Sequence, residues 1–280
     1  MKTVLHATLT LYAVLIGFTQ AHAGEVGSDF FRVHRLALRA LEAEDATGED
    51  PGVNNTASAK AAELYGRFAS ENPESPEAGL CRVLRGIISW RDLKDMASAE
   101  KDFAAAGDAR GDDAVSARAA RMGKRWLARI RMIRIARACH AYYLEEVQYP
   151  ESLNDLVEAN LLDKARLDDP QGGEFAYRAM NRSLLGDIPR QKYELRSSHM
   201  KEKPGRAQEM LDKEKDFAAG LVLKGISSEE PRTVMVAVKD KGNKVHIIEQ
   251  GKTKAGLTAV LIESRRAILC SNDYVVVLSR

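Results

Sequence analysis

Thr233-Val-Met-Val-Ala-Val238, the turn Lys241-Gly-Asn243 and Val245-His-Ile-Ile-Glu249 form the stretch on which the fold class turns. Val234, Val236 and Val238 fall on one face at period two, the spacing of a strand. The second run carries apolar residues on both parities, Val245 and Ile247 on one and Ile248 on the other. Four more runs flank these: Leu221–Lys224, Thr258–Glu263, Ala267–Cys270 and Tyr274–Leu278. Gly225, Gly251, Gly256 and Ser271-Asn-Asp273 punctuate them, so the spacing predicts a small β-sandwich or half-open barrel over residues 217–280. Thr233–Val238 and Val245–Glu249 are its expected edge strands. An exposed edge recognises a partner by adding main-chain hydrogen bonds, with alternate side chains supplying specificity. The candidate partner-binding residues are therefore Arg232, Val234, Val236, Lys244, Val245 and Ile247. Lys239 and Lys241 would rim the edge and favour an acidic partner.

Upstream, residues 200–216 are densely charged and read as a linker or a solvated helix. Before them the pattern is helical. Asp112-Asp113 opens a helix that runs to about Val147, relaxed at Gly123. Met122, Trp126, Ile130 and Ile133 make its apolar stripe. Arg118, Arg121, Lys124, Arg125, Arg129, Arg131, Arg134 and Arg137 make it strongly basic. A solvated face flanking a core stripe is the first expectation for helix 118–137, and peripheral contact with an anionic membrane surface is the second. Pro150 stops the helix, and Ser152 caps a short one presenting Leu153 and Leu156. Asp168-Asp-Pro170 with Gly172-Gly173 is a turn, and Phe175–Tyr177 with Tyr193–Ser197 is a hairpin. Further towards the N-terminus, Ser58–Ser70, Pro76–Trp90 and Met96–Ala106 read as helices. At the start, Lys2, a 12-residue apolar run (Ala7–Phe18) and Ala21-His-Ala23 form a secretory leader pattern. The run is shorter than the roughly 20 residues that cross a bilayer. Cleavage after Ala23 and a periplasmic location are expected.

The segments so divided are a leader (1–23), a helical repeat-like module (24–111), a helix with β-hairpin (112–199), a charged linker (200–216) and a small β domain (217–280). Three resemble known families. Residues 61–107, with Asn72-Pro73 at a repeat end and Ala99-x-x-x-Phe103 in a second helix, weakly resemble tetratricopeptide repeats. Tyr142, Tyr149-Pro-Glu-Ser-Leu153, Asp169-Pro-Gln-Gly172, Tyr177 and Tyr193 occur in the order found in the periplasmic part of type II secretion pseudopilins. Their helix here is basic, and Ser197-Ser-His199 lacks the carboxylates that major pseudopilins use for calcium. Leu223-Lys-Gly225, Thr233–Val238, Ile248-Glu-Gln-Gly251, Val260-Leu-Ile262, Arg266-Ala-Ile-Leu269 and Tyr274–Leu278 resemble the periplasmic homology region of the type II secretion clamp protein and the related pilus-assembly protein. That resemblance implies a domain that pairs with the N-terminal domain of the outer-membrane secretin, without catalysis.

The 280 residues contain 42 Lys and Arg against 40 Asp and Glu, a net charge of +2, which gives no global electrostatic case for nucleic acid. Three cysteines, Cys81, Cys139 and Cys270, are too few for a disulfide framework and read as small buried hydrophobes. Cys139-His140 is not a nucleophile–base pair, because helical neighbours diverge by about 100°. No metal-ligand spacing, phosphate loop or nucleophile elbow is present, so no cofactor is expected. The expected class is α+β: a tetratricopeptide-like helical module, a pilin-like helix and hairpin, and a small β-sandwich. Together they predict a non-catalytic periplasmic docking component of a type II secretion or pilus-like apparatus, with the secretin N-terminal domain or another apparatus protein as partner. A periplasmic helical-repeat scaffold unrelated to secretion is the alternative, and an enzyme comes third.

Overall fold

Acidic and hydroxyl caps set where the helices begin. A computed structural model describes residues 29–41, 56–180, 192–239, 242 and 244–279. Helix α1 occupies 29–41. It is followed by α2 (Thr56–Glu71), α3 (Pro76–Arg91), α4 (Met96–Gly107) and α5 (Ala114–Glu146). The Ser75 hydroxyl accepts from the Glu77 amide ahead of α3, with Pro76 in the first helical turn. Asp95 accepts from the Ala97 and Ser98 amides, and Asp113 from those of Val115 and Ser116 at 2.8 and 2.9 Å. Each carboxylate thereby satisfies orphan donors of the first turn. Helix α5 ends where Val147 turns left-handed (φ 58°).

Two apolar stripes on α5 serve two different cores. Val115, Ala119, Met122, Trp126 and Ile130 pack among α1–α4. Ala128, Met132, Ile135, Ala138 and Cys139 pack against α6 (Leu153–Glu158) and the hairpin of β1 (Ala176–Met180) and β2 (Lys192–Arg196). Ser152 and Asp155 cap α6 reciprocally. Tyr177 faces Leu195 across the hairpin, and the Tyr177 hydroxyl donates to the Pro150 carbonyl at 2.7 Å. The turn before it is held by Asp169, whose carboxylate accepts from Ser197 Oγ at 2.6 Å and the Gln171 amide at 2.9 Å. A boundary at 111/112 would therefore cut through the first core, because α5 completes it.

The C-terminal strands form two antiparallel sheets. One has the order β3 (Leu221–Ser227), β4 (Thr233–Val238), β5 (Lys244–Glu249). The other has the order β6 (Thr253–Lys254), β7 (Leu257–Ile262), β8 (Arg266–Cys270), β9 (Val275–Ser279). Val234, Val236 and Ile248 of the first sheet share a core with Ala259, Ile262, Leu269 and Val276 of the second. The opposite face of the second sheet, through Val260, Ile268, Cys270 and Val275, enters the helical core. All six residues of β7 are consequently buried, the mark of a strand covered on both faces. The layers run helices, four-stranded sheet, three-stranded sheet. The Arg266 guanidinium lies 3.8 Å from the Phe31 ring centroid, joining β8 to α1.

Three expectations change. Of the two readings of residues 200–216, linker or solvated helix, the helix holds from Arg206 as α7 (Arg206–Ala219), but it is not solvated all round: Ala207 and Leu211 are buried. That helix sends Met210 to both cores and Phe217 to the sheet core. The basic face of α5 is not simply solvated: Arg118 and Arg129 are buried, and Arg125, Arg131 and Arg134 are partly buried, leaving Arg121, Lys124 and Arg137 exposed. Gly123 does not relax α5, which runs unbroken. Residues 1–23, with the expected leader, lie outside the described residues. Among the described residues, no helix is long and apolar enough to cross a membrane.

Candidate functional site

The three-stranded sheet places the sequence candidates unequally. Strand β4 is its centre, hydrogen-bonded to β3 and β5, so it offers no edge. Val234 and Val236 are fully buried on its inner face and cannot touch a partner. The period-two pattern reports their face correctly, but a strand's position in the sheet order depends on distant pairing. Strand β5 is an edge. Val245 and Ile247 project outward at 49% and 53% exposure, beside Met235, which is opposite Ile247 in the register. Gly225 on β3 leaves the space that the Met235 side chain occupies. Lys244 and Lys239 are exposed at the start of this edge. Arg232 at the other end is engaged by Glu230 at 3.0 Å. Lys241 lies outside the described residues. Sequence reasoning missed Met235 and His246, whose Nε2 is buried without a hydrogen-bond partner. The alternation Val234/Met235/Val236 carried the Met235 signal.

The open length of β5 is short because its exit is tied down. The Gln250 amide donates to the Arg232 carbonyl, and Gln250 Oε1 accepts from the Ile262 amide, both at 2.9 Å. A parallel bridge joins Gln250 to Ala259. The edge is thus fixed to the second sheet, and that sheet is fixed to the helices by an ionic interlock. Arg125 and Arg129 of α5 both reach Glu202 and Asp273, with Arg129 Nε 2.8 Å from Glu202 and Nη2 2.7 Å from Asp273. Trp126 Nε1 donates to the Asp273 carbonyl at 3.2 Å. The Arg129 guanidinium also stacks 4.7 Å from the Trp126 ring centroid. Arg118 donates to Thr258 Oγ1 at 3.1 Å and also to Asn272. Burial opposes ionisation of Asp273, but Arg129 and Arg125 outweigh it and hold the carboxyl below its ordinary range. Burial likewise disfavours the Arg129 cation, and Glu202 and Asp273 more than restore it.

A concavity lies among α2, α3 and α4. It encloses about 610 Å³ and is lined by Glu63, Arg67, Arg85, Lys101 and Asp102 among others. Arg85 and Asp102 neutralise one another there through two hydrogen bonds. Cys81, Cys139 and Cys270 are free and buried. Burial pushes the Cys139 and Cys270 thiols up to about 12, the reverse of an activated nucleophile. His140 is exposed while Cys139 is buried, so the pair diverges. Among the described residues, no group of three or more His, Cys, Asp or Glu is placed to hold a metal ion. Comparison with protein-family models, curated proteins and solved structures finds no match. The protein is therefore defined by its geometry: an α+β chain in which an open strand edge is held on an interlocked helical scaffold.

Proposed function

We propose that this protein is a non-catalytic docking component of an envelope secretion or pilus-like apparatus, presenting strand β5 to a partner strand. The exposed edge at Lys244–Glu249, with Val245, Ile247 and Met235 aligned on its outer face, carries the proposal. A strand added there would gain main-chain hydrogen bonds and cover three apolar side chains that now meet water. The helix layer would act as the adaptor that orients the edge. The clamp-like pattern of the last strands and the pilin-like order around Tyr142 and Tyr177 support the secretin N-terminal domain as the partner.

The test uses the whole chain, titrated with the secretin N-terminal domain of the same organism. Binding is expected at low salt and should weaken as salt rises, because Lys239 and Lys244 rim the edge. Ile247→Pro should abolish it, since a proline blocks strand addition. Absence of binding at low salt, or binding that survives Ile247→Pro, overturns the proposal.

The groove among α2–α4 favours one other reading, a helical-repeat scaffold unrelated to secretion. Under that reading, charge changes at Arg67 and Lys101 alter partner capture while Ile247→Pro does not.

A further inference from the structure

Beyond the interlock, α5 gathers a second set of guanidiniums whose charges are not balanced. Glu100 of α4 has Arg134 Nε at 3.0 Å, Arg166 Nε at 3.1 Å and Arg131 Nε at 3.9 Å. Arg131 donates to the Asp168 carbonyl at 2.9 Å, and Arg166 also pairs with Asp163. Three guanidiniums therefore face two carboxylates, and Asp163 is largely exposed. The exposed carboxylate of Asp168 is near, as are the exposed cations Lys164 and Arg137. One carboxylate cannot saturate three groups that offer five N–H donors each. The Nε atoms of Arg131 and Arg134 are buried and face Glu100 without a well-aligned hydrogen bond to it.

Three guanidiniums against Glu100 and a largely exposed Asp163 leave positive charge in excess, and crowding like charges is unfavourable unless another anion joins them. Glu100 behaves as an organiser: it gathers the three side chains, each of which stays partly exposed. We propose that Arg131, Arg134 and Arg166 form a cradle for a phosphate group. A phosphate has enough charge and acceptor oxygens to engage several guanidiniums at once, and planar guanidinium forks match it bidentately. The group could come from free phosphate or from a phospholipid headgroup. The cradle lies on α4, α5 and the 3₁₀ turn Lys164–Arg166 and uses no residue of β5, so it does not depend on the docking proposal.

The experiment compares the thermal transition of the whole protein in potassium phosphate and in potassium chloride at equal ionic strength. It also measures co-sedimentation with phosphatidylcholine vesicles with and without phosphatidic acid. Phosphate is expected to stabilise the protein saturably where chloride does not. Arg134→Gln and Arg166→Gln should each weaken phosphate binding by about tenfold or more, the loss expected for a charge-assisted hydrogen bond. Arg134→Lys should weaken it less. Arg121→Gln, an exposed cation of the same helix, should leave it unchanged. Retention on phosphatidic-acid vesicles that these variants abolish assigns the headgroup; stabilisation by free phosphate without retention assigns the soluble anion. No response to either source, or cradle variants that bind like the parent protein, overturns the proposal.

Discussion

His34 has its Nδ1 2.6 Å from the Tyr65 hydroxyl, and burial lowers its pKa to about 4. The unfolded chain would protonate it near 6.5. Between these values the unfolded state binds the extra proton, so this group's contribution is complete above about 6.5 and is lost as pH falls towards 4. We predict that stability drops by up to about 1.4 kcal/mol per pH unit within that window from this group alone. Urea titrations from pH 7 to pH 4.5, with His34→Phe as comparator, should show the slope and its flattening. Arg129 sits at the opposite electrostatic extreme. Its removal leaves Glu202 and Asp273 with Arg125 alone, so Arg129→Met should cost about 3–5 kcal/mol. Chemical denaturation checks this. A triple change that also makes Glu202 and Asp273 apolar should recover much of the loss. The eight cations of helix 118–137 are plain in the sequence, but their acidic partners at Glu100, Glu202 and Asp273 stand far off in the chain. No local pattern distinguishes a buried arginine from a solvated one.

Element limits were more legible than element neighbours. Ser152, Asp113 and Pro150 announce boundaries through local chemistry, and period-two runs announce β3, β4, β5, β7, β8 and β9. Which strand is central was not legible: Thr233–Val238 and Val245–Glu249 have similar composition, yet the first is enclosed and the second open. Substitutions should separate them. Val236→Ala should destabilise the protein by about 2 kcal/mol through a cavity, whereas Ile247→Lys should change stability by less than about 0.5 kcal/mol while reducing partner binding. Gly123 shows the same limit within a helix. Its meaning lies in α4: a β-carbon there would fall 2.7 Å from the Gly107 amide nitrogen and 2.8 Å from Ala106 Cβ. Gly123→Val should push α4 from α5 and cost about 1–3 kcal/mol, read from the shift of the thermal midpoint.

At the scale of the molecule, the segmental division suggested by composition gives way to shared cores. Helix α7 contributes to two, and the four-stranded sheet is covered by helices on one side and by strands on the other. Residues 217–280 do not form a self-contained unit in this layering, because excision would expose Val260, Ile268 and Val275 and remove most of α7. We predict that the excised segment aggregates or lacks dispersed amide signals, and that residues 24–280 melt in a single calorimetric transition. Composition shows where a chain changes periodicity; it does not show that an apolar face on one segment belongs beneath another. The meeting of Arg266 with the Phe31 ring extends this point into time. A ribosome or translocation channel releases α1 well over two hundred residues before β8. During that interval Phe31 has no sheet to lie against, and the apolar flank of α1–α5 must be tolerated by solvent or shielded by a chaperone. Contacts separated so far in sequence form slowly, so we predict that resistance to proteolysis appears with the docking of the last strands rather than with helix formation, which pulse proteolysis during refolding would time.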